Sequence, residues 1–89
     1  MESRTTRRFR ELLDALPTEF QKRAREAYAL FRDNPNHPSL RFKKVHNTEP
    51  IYSARVTRDY RAVGVIEEDV IIWFWIGTHA DYERFLRSL

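Results

Sequence analysis

Cysteine is absent from this chain, glycine occurs only twice and methionine only once. Without cysteine there is no disulfide framework and no thiolate metal site. No glycine-rich phosphate loop is present. No pair of histidines and carboxylates has metal-ligand spacing, so neither a metal nor another cofactor is expected. The longest apolar run, Val70 to Ile76, is too short to span a membrane, and the charged start Met1-Glu2-Ser3-Arg4 lacks the apolar core of a signal peptide. A cytoplasmic location with no membrane contact is therefore expected. Repeats, low-complexity tracts and internal linkers are also missing, which leaves one small domain over residues 1–89.

What is present is enough for one core. Hydrophobic residues make up 42% of the chain and aromatics 13%, a composition that folds unaided. The formal net charge of +3 is unevenly spread. Residues 1–44 carry eleven Lys/Arg against six Asp/Glu, whereas residues 45–89 carry five against seven. Arginine outnumbers lysine thirteen to three, which favours bidentate contact with phosphate or carboxylate. The basic half points to an anionic partner, nucleic acid or an acidic protein tail, unless it is only a soluble arginine-rich surface.

Phe9, Leu12, Leu13 and Leu16 recur at helical spacing, so a helix is expected over residues 3–16, capped by Ser3, Thr5 or Thr6. Arg4, Arg7, Arg8 and Arg10 crowd its first turns, where the helix dipole disfavours cations. Pro17 ends that helix, and Thr18 with Gln21 has the pattern of a capping box for a second helix over about residues 19–32. The two helices are expected to form an antiparallel hairpin. After the breaker-rich turn 33–38, alternation predicts a strand over Leu40 to Val45. Three more strands follow, Ile51 to Val56, Tyr60 to Glu67 and Val70 to Ile76, joined by links short enough to enforce antiparallel neighbours. Thr78 and Asp81 then open a short C-terminal helix with Tyr82, Phe85, Leu86 and Leu89 on one stripe. The expected fold is α+β, with two N-terminal helices packed on a four-stranded antiparallel sheet and a short C-terminal helix.

The hairpin around Thr57-Arg58-Asp59 carries the chemistry. With a three-residue loop, Val56 faces Tyr60 and Arg55 lies opposite Arg61. Such a like-charged pair destabilises a sheet by about 0.2–1 kcal/mol unless an anion lies between the two or both stay in water. The next strand brings Trp75 near Arg61, and His79 falls at the same end, with Lys43 or Lys44 on the flanking strand. Guanidinium planes beside an indole suit single-stranded RNA. The bland alternative pairs Arg55 and Arg61 with Asp59, Asp81 or Glu83 in surface salt bridges. His79 carries an imidazole, the side-chain type that most often serves as a general acid or base. A lone histidine in a first helical turn is nevertheless more often a surface residue, and Tyr82 sits on the apolar stripe. His37 and His46 are read as surface residues.

Together, His37-Pro38-Ser39-Leu40-Arg41-Phe42-Lys43-Lys44, Tyr52-Ser53-Ala54-Arg55-Val56, Asp59-Tyr60-Arg61-Ala62-Val63 and Gly77-Thr78-His79-Ala80-Asp81-Tyr82 resemble the RelE/ParE superfamily of bacterial type II toxin–antitoxin toxins. The resemblance covers nearly the whole chain and implies a first strand reduced here to Met1–Arg4 at most. RelE-like members cut mRNA on the ribosome without a metal, whereas ParE-like members inhibit DNA gyrase. By resemblance, Arg61 holds the scissile phosphate, Arg55 assists it, and His79 matches the histidine of the nuclease branches. Lys43, Lys44, Arg58, Trp75 and Tyr82 are the substrate-binding candidates. Ser53 stands where RelE itself is basic, which leaves Lys43, Lys44 or His79 as the base. Phe85, or a shifted Tyr82, replaces the tyrosine of the RelE last helix. The implied partners are a cognate antitoxin, mRNA and the ribosome. The alternatives are a non-catalytic gyrase inhibitor and a degenerate member without toxicity.

Overall fold

The computed structural model describes residues 1–89. In chain order the elements are β1 (Glu2–Thr5), α1 (Arg7–Asp14), α2 (Thr18–Asp33), a 3-10 turn (Pro38–Leu40), β2 (Lys43–Lys44), β3 (Ile51–Thr57), β4 (Tyr60–Glu67), β5 (Val70–Thr78) and α3 (His79–Ser88). The sheet order is β1-β5-β4-β3-β2, with β1 parallel to β5 and every other pair antiparallel. The α+β class and the helical hairpin are as expected. The sheet is not: it has five strands and is mixed.

The fifth strand escaped the pattern because Glu2–Thr5 is short and polar, and the helical periodicity downstream drew the expected helix start back over it. Its order comes from tertiary bonds. Trp73 Nε1 donates to Ser3 Oγ at 3.1 Å, and Tyr28 Oη donates to the Ser3 carbonyl at 3.3 Å. Of the three proposed caps, Thr6 serves: its Oγ1 accepts from the Phe9 N–H. The capping box at Thr18 does not form. Pro17 precedes α2 without a side-chain cap, and Gln21 Nε2 instead donates to the Asp14 and Leu16 carbonyls at 3.1 and 2.8 Å, closing the end of α1. The strand expected over Leu40 to Val45 shrinks to Lys43–Lys44, because the 3-10 turn runs through Leu40 and Arg41 follows at a φ of 45°. Leu40 is buried under α2 rather than on the sheet.

Both sheet faces are covered, which is why β5 reads as an unbroken apolar run. Ala54, Ala62, Ile71, Trp73 and Ile76 pack with Phe9, Ala24 and Phe31 of the hairpin. Ile51 and Val63 pack beneath Tyr82, joined by Phe74, Trp75, Phe85 and Leu86. Two neighbouring tryptophans serve the two faces because a bulge interrupts β4–β5. Val63 pairs with Trp75 but Gly64 pairs with Trp73, so Phe74 is the extra residue and the alternation resets. Gly64 is obligatory here, since a Cβ would lie 2.9 Å from Trp73 Cε3 and 3.0 Å from the Ile72 carbonyl.

The β4–β5 hairpin turns through Glu68 and Asp69, both at positive φ (49° and 66°), the signature of a type I′ turn. Glutamate disfavours that region, and aspartate enters it less readily than glycine. Replacing the pair by Asn-Gly (Glu68→Asn with Asp69→Gly) is expected to add about 1 kcal/mol of stability. The thermal midpoint should rise by about 4–8 °C, and a melt that shows no rise would refute the assignment of the turn.

Candidate functional site

The cationic end of the sheet lies on the α3 side, around the β3–β4 turn. Arg55 and Arg61 are directly paired across the two strands, as the register argument required, so their side chains leave the same face. The turn itself differs from expectation. Thr57, not Val56, pairs with Tyr60, and Val56 is a bulge residue. Tyr60, next to Arg61 in β4, points to the opposite face, where its ring lies 4.3 Å from that of Phe20 at the start of α2.

Arg61 is half-buried, and only one of its terminal nitrogens is used within the chain. Nη1 donates to the carbonyls of Thr57, Arg58 and Tyr60 at 2.7, 3.1 and 3.0 Å. Nε and Nη2 have no partner in the chain, and since no buried side-chain nitrogen or oxygen is left unpaired, both face solvent. The free Nε/Nη2 edge is the one a guanidinium offers to a phosphate as a fork. Burial, and then the neighbouring guanidinium of Arg55 with a further contribution from Arg41, hold the pKa of Arg61 below the ordinary arginine value, while Tyr82 and Asp59 oppose the shift. The group stays cationic at neutral pH.

No carboxylate forms an ion pair with this cluster. The ion pairs of the chain are Arg4–Glu2, Arg7–Glu11, His79–Glu83 and Arg84–Asp81. Of the three proposed partners of Arg55 and Arg61, Asp81 and Glu83 are engaged elsewhere, and Asp59 acts on Arg61 only through its charge, so the surface salt-bridge alternative is not realised.

Thr78 Oγ1 caps α3 by accepting from the Asp81 N–H, and the His79 N–H donates to the Asp59 carbonyl at 2.7 Å, tying the helix start to the β3–β4 turn. The His79 ring is half exposed. Its Nε2 lies 3.1 Å from Glu83 Oε1, and its centroid is 5.9 Å from that of Tyr82. Tyr82 is buried, and its hydroxyl donates to the equally buried Ser53 Oγ at 3.0 Å. Ser53 thus anchors α3 at the centre of the face. Tyr82→Phe would leave the buried Ser53 hydroxyl without this partner and is expected to cost about 1–2 kcal/mol in urea unfolding. Adding Ser53→Ala should cost less than the sum of the two changes.

The remaining candidates separate. Lys43 pairs with Ser53 and so shares the face of the arginines, whereas Lys44 pairs with Tyr52 and projects from the other side. Arg58 sits exposed at the turn. Trp75 is on the site face, but its indole stacks on Phe85 (4.8 Å, 7°) and covers Gly77, where a Cβ would meet the ring at 2.7 Å. It belongs to the seat of α3, with Gly77 opposite Arg61. His37 and His46 cap local turns, accepting at Nδ1 from Ser39 N–H and from Thr48 and Glu49 N–H respectively. Sequence reasoning missed Arg41, for which no local pattern signals proximity to Arg61. It also missed the Glu83 partner of His79, which the i,i+4 spacing could have revealed.

The family model of the ParE-like toxin domain matches residues 18–84, from the start of α2 into α3. The chain belongs to that family. Its ParE-like domain lies within the RelE/ParE superfamily, as the motifs implied. No curated protein matches the chain. Among solved structures, the ParE-like domain is similar to a chain of the RelB–RelE antitoxin–toxin complex from Methanococcus jannaschii, with 17% identity over 91% of this chain and 95% of that one and a TM-score of 0.72. It is also similar to YafQ from E. coli strain BL21(DE3), with 12% identity over 91% and 96% of the two chains and a TM-score of 0.72. A third is a chain of the RelBE2 toxin–antitoxin complex from Mycobacterium tuberculosis, with 20% identity over 88% and 96% and a TM-score of 0.69. At these identities the likeness is one of fold. No helix of the ParE-like domain is long and apolar enough to cross a membrane.

Proposed function

We propose that this chain is the toxin of a type II toxin–antitoxin pair and that it cuts mRNA with side chains alone. The observation that carries the reading is the pairing of Arg55 with Arg61, neither in an ion pair with a carboxylate, with the Nε/Nη2 edge of Arg61 unused within the chain. Two like charges held side by side favour an anion between them, and a scissile phosphate is the anion that RNA supplies. A base, Lys43 or His79, removes the proton of a ribose 2′-hydroxyl. The 2′-oxygen then bonds to phosphorus while the bond to the 5′-oxygen breaks. Arg61 and Arg55 stabilise the charge that builds on the phosphoryl oxygens. When Lys43 is the base, His79, oriented by Glu83, protonates the leaving oxygen, and when His79 is the base, a solvent water supplies that proton. The products are a 2′,3′-cyclic phosphate and a 5′-hydroxyl. An antitoxin segment with acidic side chains would silence the toxin by covering Arg41, Arg55, Arg58 and Lys43.

The test is induction of wild type, His79→Ala and Arg61→Ala in a host lacking the antitoxin, with mRNA ends mapped by primer extension. Cuts are expected with wild type and should disappear in both variants. In vitro they should survive EDTA, and added ribosomes reveal whether the cut needs them. A second reading rests on two observations: Nε2 of His79 is engaged by Glu83, and buried Ser53 occupies the place of a basic residue. Both suit a non-catalytic inhibitor of gyrase. Growth arrest with intact mRNA and gyrase-dependent DNA breaks would replace the first reading by the second.

A further inference from the structure

Arg61 and His79 come from different elements, and no hydrogen bond joins them, yet both are held by the same four backbone residues. The carbonyls of Thr57, Arg58 and Tyr60 accept from Arg61 Nη1, and the carbonyl between them, that of Asp59, accepts from the His79 N–H. Every carbonyl of the turn is thus bonded to one of the two residues proposed to act on the phosphate. Thr57 braces the turn from inside, its Oγ1 accepting from the Asp59 N–H at 3.2 Å. Tyr60 anchors it from the far side of the sheet by stacking on Phe20.

The turn lies directly after the bulge at Val56, where the register shifts between Arg55 and Thr57. The Asp59 carbonyl extends the β4–β5 pairing by one step past Tyr60 and Thr78, and Nη1 of Arg61 donates to the other three carbonyls with a charged group. The side of Arg61 that binds the turn therefore dictates where its free side points, and the Asp59 carbonyl dictates where α3 begins.

We propose that the turn Thr57–Tyr60 is a shared positioning element that couples Arg61 to His79, with Thr57 as its positioning residue. The coupling itself stands on the geometry; its consequence for catalysis rests on the nuclease reading. The two parts are separable by experiment.

In ¹⁵N-labelled protein, hydrogen exchange of the His79 amide is compared among wild type, Arg61→Ala, Arg61→Lys, Thr57→Val and Thr57→Ser, with the Ile71 amide at the opposite end of β5 as the measure of global opening. Arg61→Ala is expected to speed His79 exchange by about tenfold relative to Ile71, the equivalent of one lost hydrogen bond. Thr57→Val should act in the same direction and Thr57→Ser should behave as wild type. Should Arg61→Ala fail to fold, Arg61→Lys and Thr57→Val carry the comparison. His79 exchange that moves only in step with Ile71 in these variants overturns the proposal. In RNA cleavage, Thr57→Val should lower kcat at unchanged KM, with Thr57→Ser restoring it. A wild-type protein that cuts no RNA would sink the nuclease reading while leaving the exchange result to decide the coupling on its own.

Discussion

Arg61→Ala is expected to damage activity and stability together, which sets it apart from Arg55→Ala. On the proposed nuclease reading, losing the guanidinium removes a donor to the phosphate, and RNA cleavage should fall by about 10²–10³-fold, the usual effect of deleting one preorganised donor. It also strips three turn carbonyls of a charged partner, worth about 1.5–3 kcal/mol. Relief of repulsion from Arg55 and Arg41 returns a fraction of this, about 0.2–1 kcal/mol. A net loss of about 1–2 kcal/mol should lower the thermal midpoint by about 5–15 °C. The Arg55 side chain makes no hydrogen bond or ion pair in the chain, so Arg55→Ala should reduce cleavage while leaving the midpoint unchanged or slightly raised. Arg61→Lys keeps the charge but not the fork, and it should recover little of the cleavage. Assays of cleavage and melting on the three variants decide the matter. An Arg61→Ala protein as stable as wild type would contradict the bracing of the turn.

Trp73→Ala should have the largest effect on the fold itself. Trp73 is almost wholly buried and packs edge-on against Phe31 at 5.3 Å and Phe42 at 6.3 Å. It also fills the space above Gly64 and donates to Ser3 in β1. Truncating a buried tryptophan costs about 3–5 kcal/mol, and a domain of this size has about 5–15 kcal/mol in all. The variant is expected to sit at the edge of folding at 25 °C, with β1 released first because one of its two side-chain anchors is gone. Trp73→Phe keeps most of the packing and loses the bond to Ser3, so about 1–2 kcal/mol should separate it from wild type in urea unfolding. Gly64→Val tests the same contact from the other side. Its Cβ would collide with the Ile72 carbonyl as well as the indole, and the backbone cannot yield cheaply. Trp75→Phe should be far milder, since that ring is only partly buried beneath α3.

Much of the site was legible because it is local. The short link between the two strands keeps Arg55 close to Arg61, although the turn closes at Thr57 and Tyr60 and the bulge at Val56 restores the pairing that a three-residue loop would have given. The helix start at Thr78 was equally local, a cap residue directly before a periodic apolar stripe. Glu83 lay four residues from His79 on the same helix, so that partner was readable and was overlooked. Arg41 was not readable. Its approach to Arg61 depends on a left-handed residue after the 3-10 turn, and nothing in Leu40-Arg41-Phe42 distinguishes that conformation from a strand.

The amino-acid sequence by itself determined the order of helices and long strands, the α+β class, the cation pair at the head of the β3–β4 hairpin and the histidine at the mouth of the last helix, because periodicity and short links act over a few residues. Tertiary structure alone decided the parallel first strand, the opposite faces of Trp73 and Trp75, and the use of half the Arg61 fork to bind a turn. Each of these depends on which backbone groups are left unpaired when distant segments meet. A bulge or an open sheet edge comes into being only as the strands pair, and the residues that satisfy it need no pattern of their own.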